Sequence, residues 1–168
     1  MRIYFFGGIH GVGKSSLCRQ LSNHLNIKHF SAGELINQGI QKNKEVERIN
    51  VNQDVLIAEL RSIQNEYDTI ILDGHYTILS KGNIVYIPDE IYYEMNLIKM
   101  FLITCDVNHI KDRILARDNK QYDIDLLHKM QESEIKRYKE LCKKMKFEEY
   151  IIDTTNQDNM YLAIIPNI

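Results

Sequence analysis

Ile3-Tyr4-Phe5-Phe6, a run of bulky apolar residues, passes directly into Gly7-Gly8-Ile9-His10-Gly11-Val12-Gly13-Lys14-Ser15-Ser16, and a stretch with leucines four apart (Leu17, Leu21, Leu25) follows. Residues 8–15 fit the pattern G-x-x-x-x-G-K-[ST]. The context is a strand, a glycine-rich turn and the start of a helix, which is the setting the pattern needs. Glycines let consecutive backbone N–H groups turn inward around a phosphate, and the helix N-terminus adds its positive dipole end. A lysine at the sixth place after the first glycine can reach β- and γ-phosphates, and the following hydroxyl can ligate Mg2+. Gly8, Gly11, Val12, Gly13, Lys14, Ser15 and Ser16 are therefore the candidate residues for holding ATP, with Mg2+ at Ser15. His10 occupies a variable position of such loops and is expected to have no special task. Lys14 is expected to face solvent until a phosphate arrives, leaving the fold indifferent to it.

Outward from this loop, short continuous apolar runs recur at Thr69–Leu72, Met100–Thr104 and Tyr150–Ile152, with Lys28-His29-Phe30 a weaker fifth strand candidate. Continuous rather than alternating runs suit strands covered on both faces. Helical spacing fills the gaps: Leu56, Leu60 and Ile63 after a possible N-cap at Asn52; Ile110, Ile114 and Leu115; and a long amphipathic stretch from Asp123 through Ile124, Leu127, Ile135, Tyr138, Cys142 and Met145. Strands alternating with helices predict an α/β three-layer sandwich around a five-stranded parallel sheet. Right-handed crossovers bring the loop after every strand to one sheet edge, where ligands bind.

The 168 residues suit one domain, and the formal net charge of −2 argues against a non-specific nucleic-acid binder. Nucleic acid is accordingly not the expected partner. Cys18, Cys105 and Cys142 are odd in number and widely spaced, suggesting neither a disulfide framework nor a zinc site. No apolar stretch approaches the roughly 18 residues of a membrane span, and the first residues are too short a run for a signal peptide. A reducing, cytoplasmic setting is expected. Oligomeric state is left open.

Three further segments narrow the reading: Ser31-Ala32-Gly33-Glu34-Leu35 after the second strand candidate, Leu72-Asp73-Gly74-His75-Tyr76-Thr77 at the end of the third, and Asp112-Arg113-Ile114-Leu115-Ala116-Arg117-Asp118 on the helix after the fourth. In this order the chain, from about Arg2 to Thr155, resembles the adenylate kinase-like nucleotide kinases, and most the archaeal-type adenylate kinases and their short-lid relatives. The resemblance implies a P-loop kinase domain over residues 1–168, an acceptor-binding helical segment at about 31–66 and a short lid at about 117–124. It implies that Asp73 holds Mg2+ through water, that Arg113 and Arg117 surround the transferring phosphoryl group with Lys14, and that Thr154 lies by the adenine. Ser31, Gly33, Glu34, Arg48, His75 and Arg137 become candidates for holding a small-molecule acceptor. Asn37 and Thr77 stand where many family members carry arginines.

The implied activity is Mg2+-ATP-dependent phosphoryl transfer, with a nucleoside monophosphate as first choice of acceptor. Two alternatives stay open: a hydroxyl of a nucleoside, sugar or other metabolite, which needs a carboxylate base such as Asp73 or Glu34, and a nucleotide-responsive binding module with slow ATPase activity. Gln53 and Asp54 read as helix-start residues, and the six basic residues between Lys136 and Lys146 as a solvated helix face, Arg137 excepted.

Overall fold

The computed structural model describes residues 1–42, 49–156 and 160–168. All five strand candidates form strands: β1 (Arg2–Gly7), β2 (Lys28–Ser31), β3 (Thr69–Gly74), then β6 (Leu97–Thr104) and β7 (Ile151–Asp153), with β4 (Thr77–Ser80) and β5 (Asn83–Tyr86) making a separate hairpin between β3 and β6. The helices are α1 (Lys14–Leu25), α2 (Ala32–Lys42), α3 (Ile49–Ile63), α4 (Asp89–Glu94), α5 (Val107–Asp118), α6 (Ile124–Met145) and α7 (Met160–Ile164). The main sheet is parallel throughout, in the order β2-β3-β1-β6-β7. β1 pairs with β3 on one side and β6 on the other, so the chain changes direction of travel across the sheet at β1. The crevice beyond its carboxyl end is where such sheets place ligands.

The continuous apolar runs are explained by the two cores they feed. Ile3, Phe5, Ile70, Leu72, Met100 and Leu102 point to one face, against Leu35, Leu56, Leu60, Tyr138 and Leu141 of α2, α3 and α6. Phe6, Ile71, Phe101 and Ile103 point to the other, against Leu17, Leu21, Ile110 and Ile114 of α1 and α5. Each such fully buried side chain contributes on the order of 1.5–3 kcal/mol. Close packing also decides one glycine: a Cβ on Gly7 would lie 2.1 Å from Cε2 of Tyr76, whose ring fills the space over the end of β1. Asp106 and Asp123 cap α5 and α6 by accepting from N–H groups of the first turn.

Two expectations change. The hairpin is an addition, turning at Lys81-Gly82 with both residues at positive φ (49° and 80°), the conformation that matches the twist of paired strands. Asn52 does not cap α3, which starts three residues earlier at Ile49. All three cysteines are buried and free. Among the described residues no helix is long and apolar enough to cross a membrane. Arg48 lies outside the described residues.

Candidate active site

Gly8–Gly13 wraps from the end of β1 into α1, and two of its glycines make the turn possible: Gly11 at φ 86° and Gly13 at φ 96°. Residues with a Cβ rarely adopt such angles. Gly13 is the N-cap of α1 and carries no side-chain cap, so the first N–H groups of the helix are left for a ligand. Lys14 departs from expectation. It is only 7% exposed, and its Nζ donates to the carbonyls of Gly8 (2.7 Å) and Ile9 (2.9 Å). Burial lowers its pKa, while the charges of Glu134 and Asp73 pull it back up. The lysine is thus folded against its own loop and is part of the buried electrostatics beneath it.

Asp73, 4% exposed, ends β3 beside that lysine. Its Oδ2 accepts a hydrogen bond from His29 Nε2 (2.7 Å), and the Ser15 hydroxyl also bonds to it. Burial pushes its carboxyl up, but the His29 bond and the charges of Lys14 and His29 outweigh burial and hold it below the ordinary value. A hydroxyl and a carboxylate in contact at a phosphate loop form the oxygen-donor set a hard cation prefers, so Ser15 and Asp73 fit Mg2+.

A cavity of about 320 Å3 opens over the loop, lined by His10, Lys14, Ser15, Arg19, Arg113 and Arg117 among others. Both α5 arginines therefore face it, in different states. Arg113 braces the loop: its guanidinium donates to the carbonyls of Val12 (3.3 Å), Gly11 (3.5 Å) and Thr154 (3.1 Å). Arg117, 58% exposed, bonds to Asp118 and lies against His10, whose Nε2 is also 2.9 Å from Asp118. The Arg117 and His10 bonds hold the Asp118 carboxyl well below the usual range. His10 is thus drawn into a charged cluster that its variable position gave no reason to expect. Thr154 follows β7 and is buried, its hydroxyl between the carbonyls of Val12 and Thr104. This brings the β7 end against the phosphate loop.

A second cavity, of about 210 Å3, lies between α2, α3, α4 and the hairpin. Gly33, Asn52, Gln53 and His75 contribute its polar edge, and Phe5, Ile87, Ile91 and Tyr92 much of its apolar wall. Burial and the neighbouring Lys14 charge push the His75 imidazole down to about 3, so it is neutral near pH 7. Ser31 ends β2 in register with Asp73, whereas Glu34 is exposed in the first turn of α2. Gln53 is buried against the cavity instead of starting its helix. Arg137 is turned away from both cavities: it donates to Ile87 O, pairs with Asp89 (both 2.5 Å) and stacks over the Tyr86 ring. Its buried Nε has no partner among the described residues. That guanidinium anchors the hairpin and α4, so the expected role at a phosphate is withdrawn.

Two residues of the site were not singled out from the sequence. His29 positions Asp73 across 44 residues of chain. Glu134 of α6, 1% exposed, accepts from Tyr76 N (2.7 Å), Thr77 N (2.6 Å) and Thr77 Oγ1 (2.5 Å). It fixes the turn that carries His75, and Thr77 at its edge serves Glu134 instead of a ligand.

A model of the AAA domain family matches residues 7–131, from the end of β1 into the first half of α6. The chain belongs to that family. Within the wider set of proteins, the GTP:AMP phosphotransferase of Plasmodium falciparum (isolate 3D7) is 34% identical over 122 residues, 64% of this chain and 48% of that protein. The chain thus spans about half the length of this curated relative. Two solved structures superpose over nearly the whole AAA domain chain. One, from Chloroflexus aurantiacus, is named as a candidate kinase (TM-score 0.61, 12% identity, 99% of this chain and 93% of that one). The other is a gluconokinase from Sinorhizobium meliloti 1021 (TM-score 0.56, 13% identity, 99% and 91%). At that identity they show the fold alone, the three-layer α/β fold of P-loop kinases.

Proposed function

We propose that this chain is an ATP-dependent kinase that transfers a phosphoryl group to a small molecule held in the 210 Å3 cavity, with a nucleoside monophosphate as first acceptor. One observation carries the reading. The segment Asp73-Gly74-His75 joins the two cavities: Asp73 bonds to Ser15 of the phosphate loop, and Gly74 and His75 line the acceptor cavity. Donor phosphates on one side and acceptor on the other would then meet at the end of β3. The 34% identical phosphotransferase supports this reading, as does the family.

The segment at about 31–66 would seat the acceptor, with Gly33 and, from beyond that segment, His75 lining its cavity and Ser31 and Glu34 beside Gly33, and residues about 117–124 would act as a short lid. Gly8, Gly11, Val12, Gly13 and Ser16 would cradle the nucleotide phosphates, with Thr154 beside the base. Lys14, Arg113 and Arg117 would neutralise charge on the transferring group, a task that alignment and electrostatics suffice for when the acceptor is already an anion. Ser15 and Asp73 would hold Mg2+, which when bound neutralises phosphate charge. A panel of acceptors with ATP and Mg2+, read as ADP formed, tests the proposal. No turnover above ATP hydrolysis with any nucleoside monophosphate would refute the first acceptor.

A hydroxyl acceptor is the second reading, favoured by the cavity itself. Among the described residues its lining holds no lysine or arginine, and its walls are mainly apolar. Turnover with a nucleoside or sugar, abolished in Asp73→Asn, would select it. Tight ATP binding without acceptor-dependent ADP release would leave the nucleotide-responsive module standing.

A further inference from the structure

We infer that Cys18, His29 and Asp73 form a sulfur-containing metal site that takes a divalent ion of the zinc class and overlaps the oxygen site at Ser15 through Asp73. The three residues come from α1, β2 and β3. Their ligand atoms, one sulfur, one imidazole nitrogen and one carboxylate oxygen, all lie within 4.8 Å of one another. Among the described residues no other trio of histidine, cysteine and acidic side chains converges in this way. Cys18 is 0% exposed, Asp73 4%, and the His29 side chain 13%.

Charge and donor chemistry both suit such an ion. A thiolate and a carboxylate on a divalent cation, completed by a neutral imidazole, sum to zero net charge, so nothing unpaired is buried. Thiolate and imidazole select zinc-class ions, whereas Mg2+ keeps to oxygen donors. Zinc bonds of about 2.3 Å to sulfur and about 2.0–2.2 Å to nitrogen and oxygen place tetrahedral ligand atoms roughly 3.3–3.7 Å apart. The 2.7 Å contact between His29 and Asp73 would open slightly, and the sulfur, within 4.8 Å of both, would close in. Entry of the ion expels the Cys18 proton, so affinity rises with pH. Three protein ligands leave a fourth place for water.

The site also reaches the phosphate loop. Asp73 is shared, since it bonds to Ser15 as well as to His29. A zinc-class ion would therefore compete with Mg2+ for this carboxylate and slow phosphoryl transfer, a coupling that rests on the kinase reading above.

Co2+ added to the full chain, without nucleotide, provides a readout independent of activity. The expected result is one cobalt per chain, a sulfur-to-cobalt charge-transfer band, visible d–d bands of tetrahedral intensity, and displacement of all of them by Zn2+. Cys18→Ser should abolish the charge-transfer band although Cys105 and Cys142 remain, with the fold checked by circular dichroism and Cys18→Ala as a second variant. His29→Gln should weaken Co2+ binding by more than the roughly 10–100-fold that loss of an outer hydrogen-bond partner costs. Absence of the band in wild type, or its survival in both Cys18 variants, would overturn the proposal and leave His29 as a hydrogen-bond partner of Asp73 only. A cobalt site in a chain that phosphorylates no acceptor would uphold the metal site and refute the kinase reading alone.

Discussion

Replacing Glu134 by alanine should cost far more stability than any surface acid of α6. The carboxylate takes two backbone N–H groups, of Tyr76 at 2.7 Å and Thr77 at 2.6 Å, and the Thr77 hydroxyl at 2.5 Å. The hydroxyl can turn about its own bond. The two N–H groups cannot, and each orphaned donor costs about 1–3 kcal/mol. Relief from burying the carboxylate returns part of that sum, because desolvation raises its pKa despite the three bonds. The net expectation is about 2–4 kcal/mol, or about 4–16 °C in Tm for a chain of this size. Glu134→Gln keeps one acceptor oxygen but turns an NH2 toward a donor, so it should lie between wild type and alanine. The folded carboxyl binds its proton more tightly than the unfolded one. Its contribution is therefore fullest below the ordinary glutamate pKa and is lost as pH rises through the raised folded value. Glutamine does not titrate, so the advantage of wild type over Glu134→Gln should shrink across that window. Urea unfolding followed by circular dichroism at several pH values measures both effects. An alanine variant within about 1 kcal/mol of wild type would show that the turn at Tyr76-Thr77 does not depend on this side chain.

Asp73→Asn should raise the Mg2+ concentration giving half-maximal activity, and an unmoved value would leave Asp73 only its structural bond to His29 at the end of β3. Arg117→Ala should lower kcat by at least about 100-fold with ATP binding little changed, since among the described residues this exposed arginine bonds to Asp118 and His10 alone. Arg113→Ala should instead cost about 1.5–3 kcal/mol of stability and weaken ATP binding, because three loop carbonyls lose a charged donor; equal effects from the two arginines would contradict that division. Gly7→Ala should destabilise by about 1–3 kcal/mol as the new Cβ meets the Tyr76 ring, and a thermal melt matching wild type would mean that the ring has somewhere to go.

The sheet was legible because its strands are covered on both faces, which leaves short unbroken apolar runs, and the phosphate loop because its glycines and lysine sit at fixed spacing. The hairpin was not legible. Its four-residue strands are half exposed, and its turn pairs Gly82 with Lys81 where asparagine or aspartate is the usual signal. Asn52 lies inside α3, which already runs from Ile49, so a residue type that favours caps marked no helix start here. The burial of Lys14 follows from Asp73 and Glu134 lying beneath it, residues 59 and 120 positions away that no local pattern connects. Arg137 shows the converse case: its place in the sequence suited a phosphate, but Asp89 and the Tyr86 ring reach it first.

The clasp between Thr154 and Val12 spans 142 residues of chain. On a ribosome adding about 5–20 residues per second, roughly 7–28 seconds separate the emergence of the loop from that of the threonine that secures it. For the first part of that interval β1 also waits for β6 (Leu97–Thr104), its second neighbour in the sheet. Nucleotide affinity should therefore be gained only once residue 154 has emerged: nascent chains stalled before that point should bind ATP poorly, and those carrying it clear of the ribosome should bind as the 168-residue chain does.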